Sequence, residues 1–259
     1  MKIYLLTDME GCSGVTMWEQ CDPQYPAFDY GCRMLAHDLT ATIHGFLDAG
    51  ADEIVVLDGH RGGDNILLDI VPDGAQYILG RSSPRPLPFL DDSFDALAVV
   101  GQHSMAGTEN AIMPHTQSST AWLDHRINGQ PMGEMGQSAL LAGHFGIPLI
   151  FLSGDRAACH EAENLVPGVT TASVKTGVSK NRGLCVSFGE AAKRLRKGAA
   201  LSLDRFGSTK PLTVDLPMSV RVTFATAAMA DDREANGATR VDNLTVERVH
   251  DTAETVYNI

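Results

Sequence analysis

Lys2-Ile3-Tyr4-Leu5-Leu6-Thr7-Asp8-Met9-Glu10-Gly11 opens the chain with an apolar run that breaks abruptly into two acids and a glycine. The run lacks the apolar–polar alternation of a half-exposed strand and reads as a strand buried on both faces. Three further stretches follow the same pattern. Glu53 to Leu57 runs into Asp58-Gly59-His60, Ala96 to Val100 into Gly101-Gln102-His103, and Pro148 to Leu152 into Ser153-Gly154-Asp155. Helices are predicted between them. Asp29 to Ala49 carries Met34, Leu35, Leu39, Ile43, Phe46 and Leu47 at close to helical spacing and stops at Gly50, and Gly136 to His144 is a shorter segment rich in Ala and Leu. Strands alternating with helices imply an α/β fold built on a doubly wound, mostly parallel sheet.

Beyond residue 155 the pattern changes. Asp155 to Leu165 and Ser187 to Leu203 read as helices, Val169 to Val174 and Ser219 to Thr226 as strands, and Asn243 to Tyr257 as a closing helix. The expected division is therefore an α/β metal-binding domain over residues 1–155 and a smaller α+β subdomain over 156–259, with an intertwined arrangement of the two as the alternative. The Pro-rich segment Asp73 to Ser93 is expected to leave the main sheet.

The 259 residues, 44% hydrophobic and 20% charged, are enough for a substantial core. A formal charge of −12 with no basic run excludes nucleic acid as the expected partner, because neutralising phosphates needs clustered Lys and Arg. The longest apolar runs, such as Ile147 to Leu152, fall far short of the roughly 20 residues of a membrane span. Met1-Lys2 leads too soon into Ile3 for a signal-peptide core, so a cytoplasmic location is expected. Cys12, Cys21, Cys32, Cys159 and Cys185 are odd in number, form no CxxC pair and read as thiols.

Functional groups of open parallel sheets gather beyond the carboxyl ends of the strands. This chain places Asp8 and Glu10 after the first strand, His60 after the second and His103 after the third. Each of these alone is ordinarily a turn former, a helix cap or a loop residue. Together they are the oxygen and nitrogen donors that suit zinc or manganese. Side chains at i and i+2 of an extended segment share a face, so Asp8 and Glu10 can reach one site. A divalent cation there relieves their mutual repulsion.

At these residues the chain resembles the M55 peptidase family, which includes zinc-dependent D-aminopeptidases, one formerly called a dipeptide transport protein. The family pattern Ser-x-Asp-x-Glu-Gly appears as Leu6-Thr7-Asp8-Met9-Glu10-Gly11, with Leu in place of the leading Ser. The similarity continues through Asp58-Gly59-His60, Gly101-Gln102-His103, Met113-Pro114-His115, Asn128, Gly133-Glu134, Ser153 to Ala158 and Thr170 to Lys175. It covers most of the chain and is weakest in the C-terminal quarter.

The resemblance implies five metal ligands. Asp8 bridges two zinc ions, Glu10 and His103 complete one, and His60 and Glu134 complete the other. Manganese is the alternative metal. Without the resemblance, Glu134 reads as a first-turn acid favoured by the helix dipole. His115 matches the family's catalytic histidine, and the sequence leaves open whether it is a nucleophile or a proton-transfer group. The implied activity is removal of N-terminal, D-configured residues from short peptides, by a homodecamer. Two cations about 3.5–4 Å apart would lower the pKa of a bound water and polarise the scissile carbonyl.

Other residues carry less. His37, His44, His125, His144, His160 and His250 are assigned no role, and Cys12 is expected to be a bystander thiol. Asp58 reads equally as a turn residue or as a group orienting His60. Gly59-His60-Arg61-Gly62-Gly63 lacks the Lys-Ser/Thr pair of a phosphate loop. Two other functions compete: a metal-dependent hydrolase of another small amide or ester, and a peptide-binding component of an uptake system. The second has no use for five metal-type donors.

Overall fold

The opening apolar run forms β1 (Lys2–Thr7), with Ile3 and Leu5 buried on one face and Tyr4 on the other, as a strand with two covered faces requires. A computed structural model describes residues 1–81, 83 and 85–259. From β1 the chain passes through α1 (Phe28–Asp48) to β2 (Glu53–Asp58) and the short β3 (Gln76–Ile78). It returns to β4 (Ala96–Gln102), then leaves for β5 (Trp122–Ile127) and β6 (Gln130–Pro131). Next, α2 (Glu134–His144) leads to β7 (Leu149–Asp155), and α3 (Arg156–Leu165) to β8 (Thr170–Ser179) and β9 (Arg182–Cys185). The last elements are α4 (Phe188–Asp204), β10 (Met218–Phe224), α5 (Ala227–Ala235), β11 (Thr239–Arg240) and β12 (Thr245–His250).

Two sheets result. The larger has the order β3-β2-β1-β4-β7-β8-β9 and is parallel except for β9, which runs antiparallel to β8. The α/β architecture read from the sequence is thus the one observed. The smaller sheet, β11-β12-β10-β5-β6, is antiparallel. The chain winds outward from β1 through β2 and β3, then from β4 through β7 and β8 the other way. The winding direction reverses at β1 and β4, whose register pairs Leu6 with Val99. The crevice beyond those strand ends is where open α/β sheets take ligands.

One face of the large sheet packs on α1 and α4, where Leu35, Leu39, Ile43 and Phe46 of α1 meet Leu195 and Ala199 of α4. Phe46 stands edge-on to Phe151 of β7, with ring centroids 5.9 Å apart. Burying a side chain of this size is worth about 2–3 kcal/mol. The other face holds α2, α3 and the small sheet in one core, Leu97 and Leu149 against Leu140, Ala158, Val222 and Val246.

Two sequence expectations change. The closing helix over Asn243 to Tyr257 is absent: Thr245 to His250 is β12, followed by a single 3-10 turn at Ala253–Thr255. Its β-branched residues pair with β10, with Val222 opposite Val246, and this packing overrides the weak helical pattern. The segment Asp73 to Ser93 leaves the sheet only in part, because Gln76–Ile78 forms an edge strand on β2. Sheet membership also does not follow a cut at residue 155. Strands β8 and β9 belong to the large sheet, and β5 and β6 to the small one. We propose dividing the chain by sheet, so that the two units interleave in sequence.

Candidate metal centre

The crevice at the reversal point is a cavity of about 640 Å³ that takes in Asp8, Glu10, His60, His103, His115 and Glu134. This volume suits a small molecule or short peptide. The ligand candidates come from separate turns, loops and a helix start. Asp8 and Glu10 occupy the turn after β1, where the backbone crosses β4: Asp8 N donates to Val100 O at 2.8 Å and Gly11 N to Gly101 O at 2.7 Å. His60 begins a 3-10 turn after β2, His103 follows β4, and His115 lies on the loop before β5. Glu134 is the first residue of α2, with Gly133 as its N-cap.

Asp8 divides its oxygens, with Oδ1 3.0 Å from His60 Nδ1 and Oδ2 3.3 Å from His103 Nε2. Glu10 Oε2 is 3.1 Å from His60 Nδ1, and Glu134 Oε1 is 3.3 Å from His103 Nε2 and 3.8 Å from His115 Nε2. Asp8, Glu10 and His103 bring one donor atom each within 4.8 Å of one another, and so do His103, His115 and Glu134. The structure therefore gathers all six residues singled out in the sequence. Among these side chains His60 lies nearest Asp8 and Glu10, and His103 nearest Asp8 and Glu134.

Every imidazole in the cluster is tied by one ring nitrogen to a backbone carbonyl. His60 Nε2 lies 2.8 Å from Cys21 O, His103 Nδ1 2.9 Å from Ser104 O, and His115 Nδ1 3.0 Å from Met113 O. With one nitrogen donating to a carbonyl, the other faces the acids, where a cation would take its lone pair in place of a proton. This is the outer support that metal-ligating histidines use. Glu10 Oε2 is buried with no hydrogen-bond partner of good geometry among the described residues, and the nearest imidazole nitrogen, His60 Nδ1, is 3.1 Å away. A cation satisfies such an oxygen, so the donor set fits a metal.

The charges are correspondingly strained. Burial and the adjacent Glu10 carboxylate push Asp8 up to about 7. Glu10 is buried and Glu134 partly so, yet His60 and His103 beside Glu10, and His103 beside Glu134, hold both below the usual carboxylate range. His60 and His103 rise despite burial because carboxylates surround them. His115 goes the other way: burial and the neighbouring His103 keep it below the ordinary imidazole value. Its ring stacks on His103 at 3.8 Å between centroids, and Trp18 stands edge-on to it at 5.2 Å.

Several supporting residues had no assigned role in the sequence. Lys175 is buried in β8 with its ammonium donating to the carbonyls of Glu10, Cys12 (2.7 Å) and Val15, which pins the loop carrying both acids. Asp155, at the end of β7, caps α3 through Ala158 N and also accepts from Ile112 N at 2.8 Å, anchoring the His115 loop. Asp58 does not touch the His60 ring. Its carboxylate takes the backbone amides of Asn65 and Ile66 and the Asn65 side-chain amide, which in turn donates to His60 O at 2.6 Å. Cys12 is buried and its thiol is pushed far up by burial, in keeping with a bystander. Ser138 and Tyr257 hydrogen bond at 2.7 Å on the cavity wall, which brings the C-terminal tail to the site.

Comparison with known proteins identifies the family. A D-aminopeptidase of Bacillus subtilis (strain 168) is 31% identical over 233 residues, covering 89% of this chain and 84% of the relative. A solved structure described as the Zn-dependent D-aminopeptidase DppA from Bacillus subtilis, a self-compartmentalizing protease, superposes with a TM-score of 0.95 at 28% identity. That match covers 99% of this chain and 94% of the other. The sequence model of the peptidase M55 family, described as D-aminopeptidase, matches residues 1–259, and the chain belongs to that family.

Proposed function

We propose that the chain is a zinc aminopeptidase that releases N-terminal D-amino acids from short peptides. Asp8, Glu10, His60, His103 and Glu134 would hold two zinc ions, with Asp8 shared between them. The observation that carries this reading is the orientation of the imidazoles: each is locked by a carbonyl on one nitrogen and presents the other to one or two of the acids Asp8, Glu10 and Glu134. Zinc held there supplies Lewis acidity toward the scissile carbonyl and a water of lowered pKa.

The protein's own groups perform the remaining tasks. His115 keeps its proton on Nδ1, bound to Met113 O, and burial favours the neutral ring, so Nε2 is a proton acceptor at the cluster's edge. A free Nε2 lone pair of this kind is what a proton-transfer group needs, and that is the role assigned to His115 in this reading. Gln117 N donates to Glu134 Oε1 at 2.6 Å and holds that acid in place. The Trp18 ring covers His115 and shields it from bulk water.

The self-compartmentalizing assembly described for the solved relative supports a homo-oligomer here, with a decamer as the proposed size. Among the described residues no helix is long and apolar enough to cross a membrane, and we propose the cytoplasm as the site of action. Chelation followed by zinc or manganese addition, assayed on paired D- and L-aminoacyl amides, dipeptides and simple esters, tests the reading. Zinc-dependent release of D-residues is the expected result. Hydrolysis that survives chelation, or that is confined to the esters, would overturn it.

A further inference from the structure

We infer that Arg61 forms an anion subsite that receives the C-terminal carboxylate of a short peptide, an inference that rests on the aminopeptidase reading above. The cavity is rich in acids, with Asp8, Glu10, Asp22 and Glu134 on its wall, and among the described residues Arg61 is the one Lys or Arg that lines it. Its guanidinium is about half exposed and, among the described residues, touches one charged partner, Asp22, at a loose 3.5 Å. Among the described residues no side-chain hydrogen bond occupies its remaining donors. A planar fork left open in this way is suited to a carboxylate, which it can bind with two parallel hydrogen bonds.

The position is built rather than incidental. Arg61 adopts the left-handed conformation, φ 49° and ψ 23°, a strained choice for a residue with a side chain. The surrounding loop is held by the Asp58–Asn65 clamp, which also fixes the carbonyl of His60. Arg61 is therefore the residue next to a metal-type donor, on a segment whose backbone is tied down at both ends. The metal centre proposed for Asp8, Glu10 and Glu134 suits the amine end of a substrate and its scissile carbonyl, and Arg61 suits the opposite terminus. An extended chain spans about 3.5 Å per residue, so in dipeptides and tripeptides these two charges are close enough to be read together. A carboxylate requirement of this kind selects short peptides over internal segments of long ones.

The test compares D-alanyl-D-alanine with D-alanyl-D-alaninamide, which differ only in that carboxylate. The zinc-loaded wild-type protein is expected to favour the free acid in kcat/KM by about tenfold or more, the scale of a charge-assisted pair of hydrogen bonds. In Arg61→Met the ratio of acid to amide should collapse toward one, with the loss expressed mainly in KM for the acid. Arg61→Lys should keep part of the preference, because it retains the charge without the fork. Equal wild-type rates on both substrates, or an unchanged ratio in Arg61→Met, would overturn the inference while leaving the aminopeptidase reading intact. So would an equal loss on both. Cleavage of neither substrate by the wild type would overturn both readings together.

Discussion

Asp8 and His115 sit in one cluster but respond oppositely to it, the acid raised toward neutrality and the imidazole kept below its ordinary range. The proposed roles follow that contrast, with Asp8 as a metal ligand and His115 as a proton acceptor. His115→Ala is expected to lower turnover by at least about a hundredfold, the usual contribution of a positioned proton-transfer group. Zinc content should stay at the wild-type level. Assay and metal analysis of the same preparation check this, and zinc loss in the variant would show that His115 binds metal. Lys175→Met removes an ammonium that satisfies three buried carbonyls. Each buried unsatisfied group costs about 1–3 kcal/mol, so a loss of at least about 3 kcal/mol is expected in urea unfolding. Asp8, Glu10, His60 and His103 were legible in the sequence because they follow strand ends, where topology makes them converge. Glu134 and His115 were not, since a helix start and an irregular loop give no directional signal; family resemblance alone singled them out. The role of Lys175 depends on contacts more than 150 residues away in sequence, and no local pattern carries it.

The ligand-bearing turns after β1 and β4 are interlocked at the element scale. A Cβ on Gly101, at φ 79°, would meet Asp8 O at 2.1 Å, and one on Gly11 would meet Gln102 O at 2.1 Å. These two crossings let the acids and His103 approach each other. Gly101→Ala should cost about 2–4 kcal/mol, from the left-handed strain together with overpacking against rigid backbone. Denaturant unfolding measures it, and a change under 1 kcal/mol would mean the turns can separate freely. The apolar runs of β1, β2, β4 and β7 announced themselves because strands covered on both faces need continuous hydrophobicity. β12 did not: half its residues face solvent, so its pattern mixes with a helical one, and only pairing with β10 decides it. The same dependence on partners obscured the small sheet, whose strands come from residues 122–131 and 218–250.

For the whole molecule, the reversal of winding direction at β1 and β4 converts dispersed loops into one cavity, and the small sheet with its C-terminal tail walls one side through Tyr257. Apolar side chains remain on the surface of the segment after β2, including Leu68, 57% exposed, and Phe89, 72% exposed. Exposed apolar groups of this kind are typical of association surfaces. Sedimentation is expected to find an assembly near ten times the 27.8 kDa chain, and a monomer at micromolar concentration would contradict the proposed compartment. The central claim is that loops from four parts of the chain share one two-ion centre. Zinc stoichiometry tests it most directly, measured on zinc-saturated, desalted wild-type protein and on Asp8→Ala. Two ions per chain in the wild type and none retained in the variant are the expected result. Fewer than two in the wild type, or two retained without Asp8, would contradict it.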